Sequence, residues 1–218
     1  MIVRRLIFIM VLMTSTSLLA ADFTTPMGRV KDSVDRVIAV LKDKSLDREA
    51  SWEKIGAIID DGFDFRSMSQ SVLATNWKKA SLEERSRFTE FFSIYIEETY
   101  RSRIEAYTDE EIIYKDEVIR GNRAVVETII RTDTVDIPIN YKLKENEGEW
   151  FAYDVIVEGV SLINNYRNTF AVIVKNEGME GLLSDIQRRI DRFKAAQEEE
   201  EEEDEDNEDD SMEEMTDS

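Results

Sequence analysis

Apolar residues recur along this chain with two different periods, and the change from one to the other divides it. From Val30 to Tyr107 the spacing is three to four residues, the repeat of a helix with one buried face. Thr25-Pro26 opens the first helix, with Thr as N-cap and Pro at the first helical position, and Val30, Val34, Val37, Ile38 and Leu41 line one side of it. Ser45 caps a second helix carrying Trp52, Ile55, Ile58 and Ile59, and Asp64 caps a short one carrying Phe65, Met68, Val72 and Leu73. Ser81 and Glu84 have capping-box spacing and start the longest helix, whose stripe runs Phe88, Phe91, Phe92, Tyr95, Ile96, Tyr100, Ile104, Tyr107. Such a stripe reads either as core against a sheet or as the lining of an apolar pocket.

The period then drops to two. Strands are predicted around Ile112 to Val118, over Ala124 to Arg131, over Val135 to Lys144 and from Trp150 to Val157. The turns between them are short: Gly121-Asn122, Thr132-Asp133 and Asn146-Glu147-Gly148. Four consecutive strands joined this way form an antiparallel meander. After a break at Glu158-Gly159 a helix runs from Asn164 to about Lys175. Gly178 and Gly181 interrupt it, and Leu182, Leu183, Ile186, Ile190 and Phe193 mark an amphipathic last helix. The expected architecture is α+β: a four-stranded antiparallel sheet packed against several helices.

The ends of the chain differ from its middle. Arg4-Arg5, an apolar run from Leu6 to Met13 and small residues up to Ala21 have the layout of a cleaved secretory signal peptide over residues 1–21. The run is too short for a spanning helix, which needs roughly 20 apolar residues. At the other end, residues 198–218 hold 15 acidic side chains and no basic one, and read as a disordered, solvated tail. Much of the formal net charge of -20 therefore sits in the tail, and residues 22–197 form a mildly acidic single domain.

The composition narrows the chemistry. The chain has no Cys and no His, so it has no disulfide, no thiol nucleophile, no Ser-His triad and no imidazole metal ligand. Scattered basic residues in an acidic domain do not form a nucleic-acid footprint, and no metal site is expected. Asp154 and Glu158 could serve as acid and base in a small exported isomerase-like cone-fold enzyme. Asp154, however, has the opposite parity to Val155 and Val157, and a Glu158–Arg167 ion pair locking the last strand to the next helix accounts for the other carboxylate. No catalytic residue is assigned. A protein-binding adaptor without a cavity is the third reading. An apolar container is energetically permissible: at ~0.8 kcal/mol per buried methylene, two long acyl chains supply on the order of 20 kcal/mol before entropic losses.

Two stretches carry a resemblance. Phe63-Asp64-Phe65 with Met68, Ser69, Val72, Leu73 and Trp77, and Val157-Glu158-Gly159-Val160-Ser161-Leu162 followed by Asn165-Tyr166-Arg167, resemble the MlaC family, also called the toluene-tolerance family. The likeness extends over about residues 30–183. It implies that the four-stranded sheet is twisted and, with the helices, encloses an apolar cavity, in a monomeric periplasmic phospholipid carrier without enzymatic activity or a cofactor. It further implies shuttling between an outer-membrane lipoprotein-porin complex and the substrate-binding-domain ring of an inner-membrane ABC transporter, which maintains outer-membrane lipid asymmetry. Ala74 stands where the family usually has Gly, and the acidic tail is not a usual family feature. Strand parity supplies the acyl-cavity candidates: Val126, Ile130, Ile137, Ile139, Tyr141, Val155 and Val157 from the sheet. Leu73, Phe92, Tyr100 and Ile104 are the candidates from the helices.

Overall fold

The computed structural model describes the backbone of residues 23–107 and 109–216, and side chains as far as residue 199 apart from residue 108. The expected leader lies outside the described residues. Four helices precede a longer one: α1 (Pro26–Leu41), α2 (Arg48–Gly62), α3 (Phe65–Leu73), α4 (Thr75–Lys79) and α5 (Leu82–Glu105). The sheet follows as β1 (Glu111–Arg120), β2 (Arg123–Arg131), β3 (Asp136–Asn146), β4 (Glu149–Val157) and β5 (Val160–Ser161). A last helix, α6 (Leu162–Thr216), breaks at Gly178, where φ is 75°. The acidic run continues the path of α6, and side chains beyond residue 199 lie outside the described ones.

Local chemistry sets the helix starts. The Thr25 side chain accepts from the Gly28 amide with Pro26 behind it, Asp64 accepts from the Ser67 amide, and Ser81 and Glu84 complete a reciprocal capping box. The second helix is capped by Asp47 rather than Ser45: Asp47 accepts from the Ala50 amide, while the Ser45 hydroxyl donates to Asp43 in the preceding loop. At the break in α6, a Cβ on Gly181 would lie 2.3 Å from the Glu177 Cβ, so the chain can fold this tightly only without a side chain there.

The sheet is antiparallel in the order β1-β2-β3-β4-β5. It has five strands, not four. The fifth is a two-residue strand beside β4, too short for any alternation to announce it. Glu147-Gly148 and Glu158-Gly159 all have positive φ, the two-residue hairpin conformation that matches strand twist. Two hydrophobic clusters result. One joins α1 to the sheet through Val30, Ala124, Val126, Leu143, Trp150 and Ala152. The other is helical and aromatic, with Phe88, Phe92 and Tyr95 of α5 against Tyr166 and Phe170 of α6, their rings 5.5 to 6.3 Å apart. The α5 stripe is therefore core against helices, not against the sheet. Periodicity shows which face of a helix is buried and is silent about what buries it.

Candidate functional site

Strand register places the covered face of the sheet in rows. From one end these are Ile112–Ile130–Ile137, then Tyr114–Thr128–Ile139–Val157, then Glu117–Val126–Tyr141–Val155, then Ile119–Ala124–Leu143–Ala152. All seven sheet candidates share this face. Their exposure is graded. Val126, Ala124, Leu143, Ala152 and Val155 are buried, the first four in the cluster that includes Val30 of α1. In the first two rows Ile112, Ile130, Ile137, Tyr114, Ile139 and Val157 are only half-buried, and Thr128 alone is buried. On α1 the same gradient appears: Val30 is buried, and Val34, Val37, Ile38 and Leu41 are half-buried. One half of the face is packed like a core. The other half presents a largely aliphatic strip that the described residues do not finish covering.

At that open end lie Val135 in the β2–β3 turn and Val160 at the start of β5, both more than half exposed at 52% and 59%. Arg131 bridges Glu111 and Asp136 on the rim. Polar groups on the face are few. Thr128 donates to the Ile139 carbonyl at 3.0 Å. Burial pushes the Tyr141 hydroxyl up to about 12, and Tyr114 is raised further, by burial first and then by Asp35 and the neighbouring tyrosines. Both stay neutral at any physiological pH.

The four helix candidates fall elsewhere or at the margin. Leu73 and Phe92 are fully packed in the helical cluster, Tyr100 lies against that cluster, and Ile104 is half-buried near the end of α5. Two clefts of about 340 and 320 Å³ open on the helical side, lined by Tyr95, Arg189, Arg192 and Phe193 and by Arg87, Phe91, Leu183 and Arg188 among others. Neither lies between the helices and the sheet, where the enclosed cavity was expected.

The two carboxylates considered for acid-base work have other roles. Asp154 is 3% exposed on the opposite face, under the start of α6. It accepts from Lys142 Nζ at 2.9 Å, the Ser161 hydroxyl at 2.8 Å and the Ile163 amide at 3.2 Å. Its oxygens join three strands to a helix. Glu158 is exposed in the β4–β5 turn with φ 49°, and its amide donates to the Pro138 carbonyl. The expected Glu158–Arg167 pair is not made. The left-handed turn holds Glu158 out in solvent, and Arg167 instead donates to the Ser71 carbonyl at 2.8 Å and to Asn164 Oδ1, tying α6 to α3. No group of three or more acidic side chains that could hold a metal occurs among the described residues.

Sequence reasoning missed Ile112 and Tyr114, whose parity within β1 already placed them on the covered face. It also missed α1 as the cover, which no periodicity could reveal.

The family model described as MlaC protein matches residues 31–188, most of the chain. The chain belongs to the MlaC family. Among curated members of this family, the toluene tolerance protein ttg2D of Pseudomonas putida is 24% identical over 190 residues, covering 84% of this chain and 86% of the relative. The intermembrane phospholipid transport system binding protein MlaC of Haemophilus influenzae is 26% identical over 123 residues. That match covers 54% of this chain and spans 58% of the relative's length. The fold is shared with a solved phospholipid-binding protein from Ralstonia solanacearum, crystallised in complex with a phospholipid. The TM-score is 0.70 at 22% identity, over 77% of this chain and 97% of that one. Among the described residues of this MlaC-family chain, no helix is long and apolar enough to cross a membrane.

Proposed function

We propose that this MlaC-family protein carries phospholipid through the periplasm, with the acyl chains held against the half-open end of the sheet. The observation that carries the reading is the graded face: the same strand faces that are sealed around Val126 and Leu143 are left half-covered around Ile130, Ile137, Ile139 and Val157. An aliphatic strip of this kind is stabilised by an apolar occupant. The chains enter between α1 and the sheet and widen the space into the cavity that the family resemblance implies, and the head group stays in water beside Val135 and Val160. Family membership and the phospholipid-binding and transport names of its relatives support the same reading. The carrier takes lipid from an outer-membrane lipoprotein-porin complex to the ring of an inner-membrane ABC transporter, or back. It works as a monomer freed from its leader after residue 21, with residues 198–218 as a solvated appendage.

The test is purification of the full chain without detergent, followed by mass spectrometry of an organic extract. Phospholipid in near-stoichiometric amount is expected. Ile139→Trp fills the strip with the chain's own indole and removes the lipid, with circular dichroism and melting temperature little changed. A folded Ile139→Trp protein with undiminished lipid contradicts the assignment of the face.

A further inference from the structure

The second row of the covered face contains a hydroxyl with nothing to bond. Tyr114 Oη is buried and has no hydrogen-bond partner. Its cross-strand neighbour Thr128 donates to the Ile139 carbonyl, and Tyr114 packs against the apolar cluster that includes Val30, Ala124, Val126 and Leu143. A buried donor without an acceptor is costly and rare in a native fold. Where it persists on a face left open for an occupant, the occupant is the natural source of the acceptor.

We propose that the Tyr114 hydroxyl donates a hydrogen bond to an acyl-ester carbonyl of the carried lipid, and so selects ester-linked glycerolipids and sets how deep they sit. This rests on the carrier reading above. Three features fix the donor, the neutral acceptor and its depth. Burial and the nearby Asp35, Tyr107 and Tyr141 all oppose ionisation, so the phenol remains a donor. An aliphatic surround makes a buried phosphate charge far more expensive than a buried ester. Tyr114 also lies one row in from the open end, two residues along the strand from Ile112, or ~7 Å at the rise of a β-strand. That is the level of the glycerol esters when the head group lies at the rim.

The experiment compares a dioleoyl phosphatidylcholine with its dioleyl diether analogue, which lacks only the two carbonyl oxygens. Each competes with a fluorescent diether phospholipid for delipidated full-length protein. The wild type is expected to prefer the diester about five- to tenfold, the factor that one hydrogen bond to a neutral group carries. Tyr114→Phe is expected to lose that preference, bind the diether as the wild type does, and melt slightly higher when lipid-free, because the orphaned hydroxyl is gone. Equal wild-type affinity for the two lipids overturns the proposal and would fit a water on the hydroxyl; this arm needs no variant. A diester preference that survives in Tyr114→Phe also overturns it, as does equal weakening of both lipids. Binding of neither lipid by the wild type defeats the carrier reading itself.

Discussion

Replacing Asp154 by Ala tests whether this carboxylate is a structural joint. Its side chain is 5% exposed and holds Lys142 of β3, Ser161 of β5 and the backbone of Ile163 at the start of α6. Removal leaves two sheltered donors unpaired, at about 1–3 kcal/mol each. It also leaves an ammonium without its counter-ion. The Lys142 side chain is 32% exposed and can turn toward water, so its share is discounted. The expected total is about 3–4 kcal/mol, or ~10 °C in melting temperature for a domain of this length. Urea unfolding of Asp154→Ala, Lys142→Met and the double variant gives the coupling, expected at about 1 kcal/mol or more because the lone lysine is costly only when the carboxylate is absent. Phospholipid per folded molecule should not change. A destabilisation below ~1 kcal/mol would refute the account of this network. Loss of lipid at unaltered stability would move Asp154 from the scaffold into the site.

Glu97 of α5 lies where a Cβ on Gly56 of α2 would be 3.3 Å from its carboxylate, and burial, then the charges of Asp60 and Glu98, push it up to about 8 from 4.5. A carboxyl that binds its proton more tightly when folded costs stability as pH rises from 4.5 to 8. Glu97→Gln should therefore gain about 1 kcal/mol over wild type at pH 9, after allowing for solvent screening, and nothing at pH 4; calorimetry showing a gain independent of pH would contradict this. Ala74 adopts φ 50°, ψ -116°, a region that suits glycine, and its side chain is exposed. Ala74→Gly should stabilise by about 1 kcal/mol in urea titration, and a loss would show that the Cβ packs usefully. Phe170, 1% exposed, touches Phe88, Phe92, Tyr95 and Tyr166. Phe170→Ala should cost about 3–5 kcal/mol and leave the lipid content of the folded fraction unchanged, because this cluster is separate from the sheet face.

Much of the candidate face was legible in the sequence because strand parity is a local property. Val126, Ile130, Ile137, Ile139, Tyr141, Val155 and Val157 fall at matching parity within their strands, and register then places them on one face. The bulges at Tyr114/Asp116 and Lys142/Leu143 shift the pairing without moving these residues off it. The helix caps at Thr25, Asp64 and Ser81 were equally readable, since each needs only a side chain and an amide three residues on. What packs against what was not. Leu73 and Phe92 have the right period for any buried face, and only the fold assigns them to α6 rather than to the sheet. The pairing expected between Glu158 and Arg167 failed for a related reason. Opposite charges nine residues apart suggest a bond, but the positive φ of Glu158 points its side chain into water. The gradient from sealed to half-open along the face is a property of α1's placement, which no pattern within α1 records.

The central claim is that acyl chains lie on the half-covered rows of the sheet. A phospholipid with a diazirine on one acyl chain close to its ester, loaded into the full-length wild-type protein, irradiated and mapped by peptide mass spectrometry, tests it most directly. The account predicts adducts on the segments containing Ile130 to Tyr141 and Val155 to Val157. Adducts confined to Phe91 and Phe193, at the clefts between α5 and α6, would contradict it.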